Sequence, residues 1–173
     1  MDLVNWHKTR HPNYLGINRP NMGSMAYLEK LQETILIPIS NALGQTTVTY
    51  GFTSFELLQY IKKHSPGDMA PDIDQHAAME LNSRKNPICK RDGAACDILV
   101  EGYEHQMHLV AQYVCKELPF DRLYFYGKDC PLHVSIGPKE SKYALIRMPN
   151  TQGVRVNSKS ATGDGTTSLF EHL

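Results

Sequence analysis

The chain lacks an excess of charge of either sign: 18 Lys and Arg balance 18 Asp and Glu across 173 residues. That removes the general basic field by which proteins hold nucleic acid, and adhesion to an anionic envelope by charge alone. No apolar run approaches the length of a membrane span. The start, MDLVNWHKTRHPNYLG, lacks the basic, apolar and small-residue order of a secretory signal. The expectation is a cytoplasmic protein with neither a nucleic-acid nor a membrane partner. Paired cysteines are missing too. Cys89, Cys96, Cys115 and Cys130 are irregularly spaced and form no CxxC, which argues against a zinc ribbon. A disulfide framework does not suit a chain without an export signal, so free and mostly buried thiols are expected. There is no internal repeat and no HExxH.

What is present fits one domain with a real core. Residues 1–24 are polar, with Pro12, Gly16, Pro20 and Gly23, and read as an irregular arm laid over the domain. Over residues 25–43, Leu28, Leu31, Ile35 and Ile39 recur at helical steps, with Pro38 predicted to kink or end the helix and Gly44 to stop it. Residues 46–52 are β-branched and aromatic, a strand. Ser54 caps a helix through His64, and a loop fills 65–73. A short helix is predicted over 75–84, a strand around Asp97, and an amphipathic helix over 104–118. Two strands, FDRLYFYG and LHVSIG, follow with a tight turn at 128–131, and YALIRM makes a further strand. The polar, Gly/Ser/Thr-rich residues 149–173 are expected to form a flexible tail. The order predicts an α+β domain over 25–148 with a mainly antiparallel sheet.

Three polar residues sit in unusual company. Asp97 lies inside the apolar run AACDILV, His133 inside PLHVSIG, and His76 ends DIDQH. A buried carboxylate needs a partner. Two His and one Asp form a sound zinc ligand set that leaves a fourth position for water, and zinc lowers the pKa of such water to near 7. The plain alternative has no metal: His133 is then a core residue bonded to a carbonyl, and Asp97 pairs with a cation such as Lys90.

The order of motifs resembles the zinc D-Ala-D-Ala carboxypeptidase and endopeptidase family, whose fold is shared by the Hedgehog signalling domain. Gly93, Ala95 and Asp97 match its G-x-A-x-D, with Ile98 following; Phe120-Asp121 matches its FD, and His133 with Ser135 its H-x-S. Upstream, YGFTS is similar to the family's S-G-[YF]-R-S and the helix over 25–43, with its PIS, resembles the helix before that motif, so the likeness touches residues 25–138. The resemblance implies a Hedgehog/DD-peptidase fold, zinc held by His76, Asp97 and His133, Gly93 and Ala95 keeping the approach to the metal narrow, and peptidoglycan-like peptides as substrate. The family's first His stands seven residues before the Asp, where this chain has Lys90. Reaching His76 implies an inserted loop of about 14 residues, which is thermodynamically tolerable. Cys89 competes with His76 as first ligand.

Two further departures bear on activity. Where the family carries its general base this chain has Tyr126, a candidate oxyanion donor, and the nearest carboxylate is Asp129, the candidate base. The family's substrate-binding Arg is Thr53 here; Arg84 or Arg91 in the inserted loop is available to replace it, the alternative being solvated loop charge. The first expectation is therefore a zinc-dependent hydrolase of a peptide or amide bond. The second is a zinc-containing binding module of the same fold without turnover.

Overall fold

The structure, a computed structural model, describes residues 2–171 and 173. After a single helical turn, α1 (His7–Arg10), comes a three-part helix: α2 (Met22–Leu31), a π segment (Gln32–Leu36) and α3 (Ile37–Ala42). Asn21 caps α2, accepting from the Ser24 N–H at 2.9 Å. The π segment accommodates Pro38, which has no N–H to give and would crowd the carbonyl four residues back in an unbroken α-helix. There the Ile37 N–H reaches back to Gln32 O. Pro38 thus neither ends the helix nor stops the chain before Gly44, where φ of +143° suits only glycine comfortably. Strand β1 (Thr46–Tyr50) leads to α4 (Phe55–His64), capped by Ser54 as its sequence predicts. Then follow β2 (Ala94–Val100), α5 (Met107–Glu117), β3 (Arg122–Phe125), β4 (Leu132–Ile136), β5 (Tyr143–Pro149), β6 (Arg155–Thr162) and the short α6 (Gly165–Ser168). No helix among the described residues is long and apolar enough to cross a membrane.

The six strands form one sheet in the order β1-β2-β4-β3-β5-β6, antiparallel throughout except for the parallel β3–β5 pair. Alternation along the strands divides its two faces. Cys96, Ile98, Leu123, Val134, Ala144 and Ile146 point to one side and pack with Leu31, Ile35 and Ile39 of the long helix and Val110 and Val114 of α5. The intervening residues belong to the other face. Register lines up Tyr50, Asp97, His133, Tyr124 and Leu145 in one row across β1, β2, β4, β3 and β5. Asp97 is therefore not a charge in the apolar core. It stands on the far face of a strand whose near face builds that core.

Two expectations need correction. Residues 75–84 form turns rather than a helix: Gln75 and Met79 have φ of 61° and 64°, and Leu81 bridges Pro87. The segment 149–173 is built into the fold: β6 pairs along β5, and Phe170, 2% exposed, packs edge-on against Phe125 at 5.5 Å. The N-terminal arm is pinned as well as laid over the domain. Leu3 and Trp6 are buried, Trp6 Nε1 donates to Phe52 O at 2.8 Å, and Asn18 Nδ2 donates to the same oxygen. His172 lies outside the described residues.

Candidate metal centre

Ligand atoms of His76, Asp97 and His133 all lie within 4.8 Å of one another. Asp97 and His133 arrive there because they are cross-strand partners on β2 and β4. His76 arrives from a loop that is locked to the sheet by its neighbour. Gln75, with no exposed surface, donates through Nε2 to Asp92 O at 2.8 Å and to Asp121 Oδ2 and Ile136 O, both at 3.3 Å. Its Oε1 accepts from Ser135 Oγ at 2.7 Å. Two glycines admit this side chain. Gly93 has φ of +132°, and a Cβ there would collide with Ile136 O and come within 2.8 Å of Gln75 Nε2. A Cβ at Gly137 would lie 3.1 Å from the same nitrogen. Gly93 thus serves the loop's anchor rather than the approach to a metal.

The hydrogen bonds around the cluster define its chemistry. His76 Nδ1–H donates to Gly51 O at 3.1 Å, which leaves Nε2 as the lone-pair nitrogen of the neutral ring, 3.3 Å from Asp97 Oδ1. Two lone pairs do not settle face to face unless a cation lies between them, either a second proton on Nε2 or a metal ion. The separation is close to the ligand–ligand edge of a tetrahedron with bonds of about 2.0 Å. His133 Nδ1 is 2.8 Å from the same Oδ1, and its Nε2 is buried with no hydrogen-bond partner among the described residues. The His133 ring stacks on Tyr124 at 4.8 Å, and Tyr50 closes edge-on against His76 at 4.5 Å. Burial alone would raise the Asp97 carboxyl, but the charge of His76 and hydrogen bonds from His133 and His76 hold it well below the usual range. Burial likewise works to lower His76, and the Asp97 charge and hydrogen bond, the Asp74 charge and the Gly51 carbonyl together outweigh it, raising that imidazole. The donor set and the shared carboxylate oxygen therefore fit a bound cation, and the cluster could hold a metal ion.

The cluster lines a cavity of about 780 Å³. Tyr126 and Arg91 line it too; burial, with the Asp97 charge adding, pushes the Tyr126 phenol up, so it stays a neutral donor. Asp129 does not line it. Its side chain is 72% exposed and bonds to His105 Nδ1 at 2.6 Å on the surface. Arg84 lines a separate shallow groove beside α4. Cys89 is buried outside the cluster, and Lys90 reaches Asp72, not Asp97, at 3.8 Å. Asp74, the second Asp of the DIDQH run that His76 ends, does line the cavity and accepts from the His76 N–H at 3.2 Å and the Ala70 N–H at 2.9 Å. Compared with family models, with curated proteins and with solved structures, the chain matches none.

Proposed function

We propose that the protein is a zinc-dependent hydrolase of a peptide or amide bond, in the manner of peptidoglycan-type peptidases. The convergence of His76, Asp97 and His133 at a cavity wall is the observation that carries this reading. Two imidazoles and a carboxylate suit Zn²⁺, which supplies Lewis-acid polarisation of a carbonyl and a water of lowered pKa. The chain's own groups supply the rest. The Gly51 carbonyl fixes the His76 tautomer, and the β2–β4 register fixes His133 against Asp97. Among the described residues, Asp74 is the only carboxylate lining the cavity besides Asp97, and it takes the proton-accepting role. Tyr126, which lines the cavity, takes the role of hydrogen-bond donor to a developing oxyanion.

A second reading, a zinc-containing binding module without turnover, is favoured by one observation. Tyr126 stands where the resemblance puts a base, and Asp129 is outside the cavity. The two are separated by measuring zinc in the purified protein and in Asp97→Ala and His133→Ala, then assaying a panel of muropeptides and D-amino-acid peptides. The hydrolase reading expects about one zinc per chain, lost in both variants, and cleavage abolished by Asp74→Asn. Zinc without cleavage of any panel member leaves the binding module. A parent protein that takes up no zinc sinks both.

A further inference from the structure

The chain's positive charge is carried by seven arginines and eleven lysines. Five of the seven arginines line the cavity beside the candidate metal centre, and none of the lysines does. They are Arg10 at the end of α1, Arg91 before β2, Arg122 on β3, Arg147 on β5 and Arg155 on β6. Among the described residues, two carboxylates, Asp74 and Asp97, share the wall with them. In a chain of zero formal net charge, this gathering is not a by-product of overall basicity. The choice of guanidinium over ammonium is also informative. A planar fork of N–H donors matches a carboxylate or phosphate in a bidentate way, which a lysine cannot do.

Several of these arginines are held in place in advance. Arg122 lies over the Tyr143 ring at 4.7 Å and Arg155 over the Tyr126 ring at 4.8 Å, while Arg91 Nη1 donates to Ile73 O at 2.8 Å. Such fixing reduces the ordering entropy lost when a ligand is bound. The Nε–H groups of Arg122 and Arg147 are buried without an acceptor among the described residues. The Asp121 carboxylate is 4.0 Å from Arg122 Nε, within ion-pair range but too far for a hydrogen bond. The sheet order gives the wall a direction. Two of the proposed ligands stand on β2 and β4, and three arginines stand on β3, β5 and β6, to one side of them. Tyr124, Tyr126 and Tyr143 line the same side, offering apolar ring faces between the charges.

We infer that the cavity binds an acidic peptide, with at least two carboxylates on the β3–β5–β6 side of the metal centre, gripped by Arg122, Arg147 and Arg155. The peptide's role as substrate rests on the hydrolase reading above; its binding does not. The test is selection from a displayed random heptapeptide pool on the zinc-supplemented full chain, followed by titration of the recovered peptides and their Asp→Asn and Glu→Gln isosteres. Recovered peptides should be enriched in Asp and Glu at two or more positions, and each isostere should bind about tenfold more weakly. Arg122→Gln with Arg147→Gln should remove the enrichment while zinc content stays at the parent level. Arg155→Gln, on the exposed edge strand, should weaken binding without any loss of thermal midpoint. Neutral or basic peptides among the winners, or enrichment that survives the arginine substitutions, overturns the inference. Inorganic phosphate displacing the peptides more effectively than succinate overturns the carboxylate assignment. Acidic peptides that bind through the arginines but are never cut uphold the inference and sink the hydrolase reading. Cleavage with no acidic preference does the reverse.

Discussion

Replacing Gln75 by Met tests whether the His76 loop is held by one buried side chain. The substitution keeps length and volume and removes every polar contact. Four hydrogen bonds disappear, those to Asp92 O, Asp121 Oδ2 and Ile136 O and the one from Ser135 Oγ. Not all of these partners are orphaned. Ser135 Oγ still accepts from the Arg122 N–H at 3.1 Å, and Asp121 keeps its bonds from the Ser141 N–H and hydroxyl. The Ile136 carbonyl loses a donor in a buried site, and the Asp92 carbonyl loses one in a part-buried site. At about 1–3 kcal/mol for each buried group left unpaired, a loss of about 2–4 kcal/mol of folding stability is expected. The loop it anchors carries a proposed metal ligand, so zinc affinity should fall by about 10- to 100-fold, the range found when groups that orient metal ligands are removed. Urea denaturation of the chelator-treated protein gives the first quantity, and competition against a chromophoric chelator gives the second. Stability within about 0.5 kcal/mol of the parent, together with unchanged zinc affinity, would refute the anchoring role. Loss of stability with affinity intact would show that His76 is placed by the Gly51 contact alone.

Two further outcomes are expected. Burial works to raise the Asp121 carboxyl, but hydrogen bonds from the Ser141 side chain and backbone, the Arg122 charge and Gln75 hold it below the usual range. Its contribution to stability is therefore present above the unfolded value of about 3.9 and lost as pH falls through the lower folded value. Asp121→Asn should be clearly less stable than the parent at pH 7, with the gap narrowing in urea titrations as pH falls below about 4; a gap equal at both ends contradicts this. Phe170→Ala empties a site that is 2% exposed against Phe125 and should destabilise by about 3–5 kcal/mol. A loss under about 1 kcal/mol would mean that the C-terminal segment is not part of the core.

The parts of this molecule visible in its sequence are those decided locally. Ser54 with the periodic FELLQYIKKH is a self-contained helix signal, and α4 forms where it predicts. Asp97 and His133 stand out because period-2 alternation places a single polar side chain opposite an apolar face, and both lie in strands as expected. The His76 segment is not legible locally, because its conformation is set from outside. Gln75 takes a positive φ to reach acceptors in the sheet up to 61 residues away, and no local propensity records that. Strand β6 hid for a different reason. It is exposed along nearly its whole length, so it carries no hydrophobic alternation, and its pairing with β5 alone makes it a strand. The arginine wall was out of reach because its members span positions 10 to 155 and meet only through the fold. The resemblance to zinc peptidases directed attention to Arg84 and Arg91 in the loop, and only Arg91 reaches the cavity.

The strand order has a consequence for synthesis. β2 is an inner strand flanked by β1 and β4, and β4 lies beyond the whole of α5 and β3 in the chain. While the ribosome is still adding residues before Leu132, β2 has one neighbour and a bare hydrogen-bonding edge, and Asp97 has no His133 beside it. The parallel pairing of β3 with β5 waits longer still. Such late, long-range pairing is slow and leaves strand edges open to other chains. A nascent chain halted in that interval presents the unpaired edge of an apolar strand, AACDILV, and its demand for chaperone protection should be greatest just there.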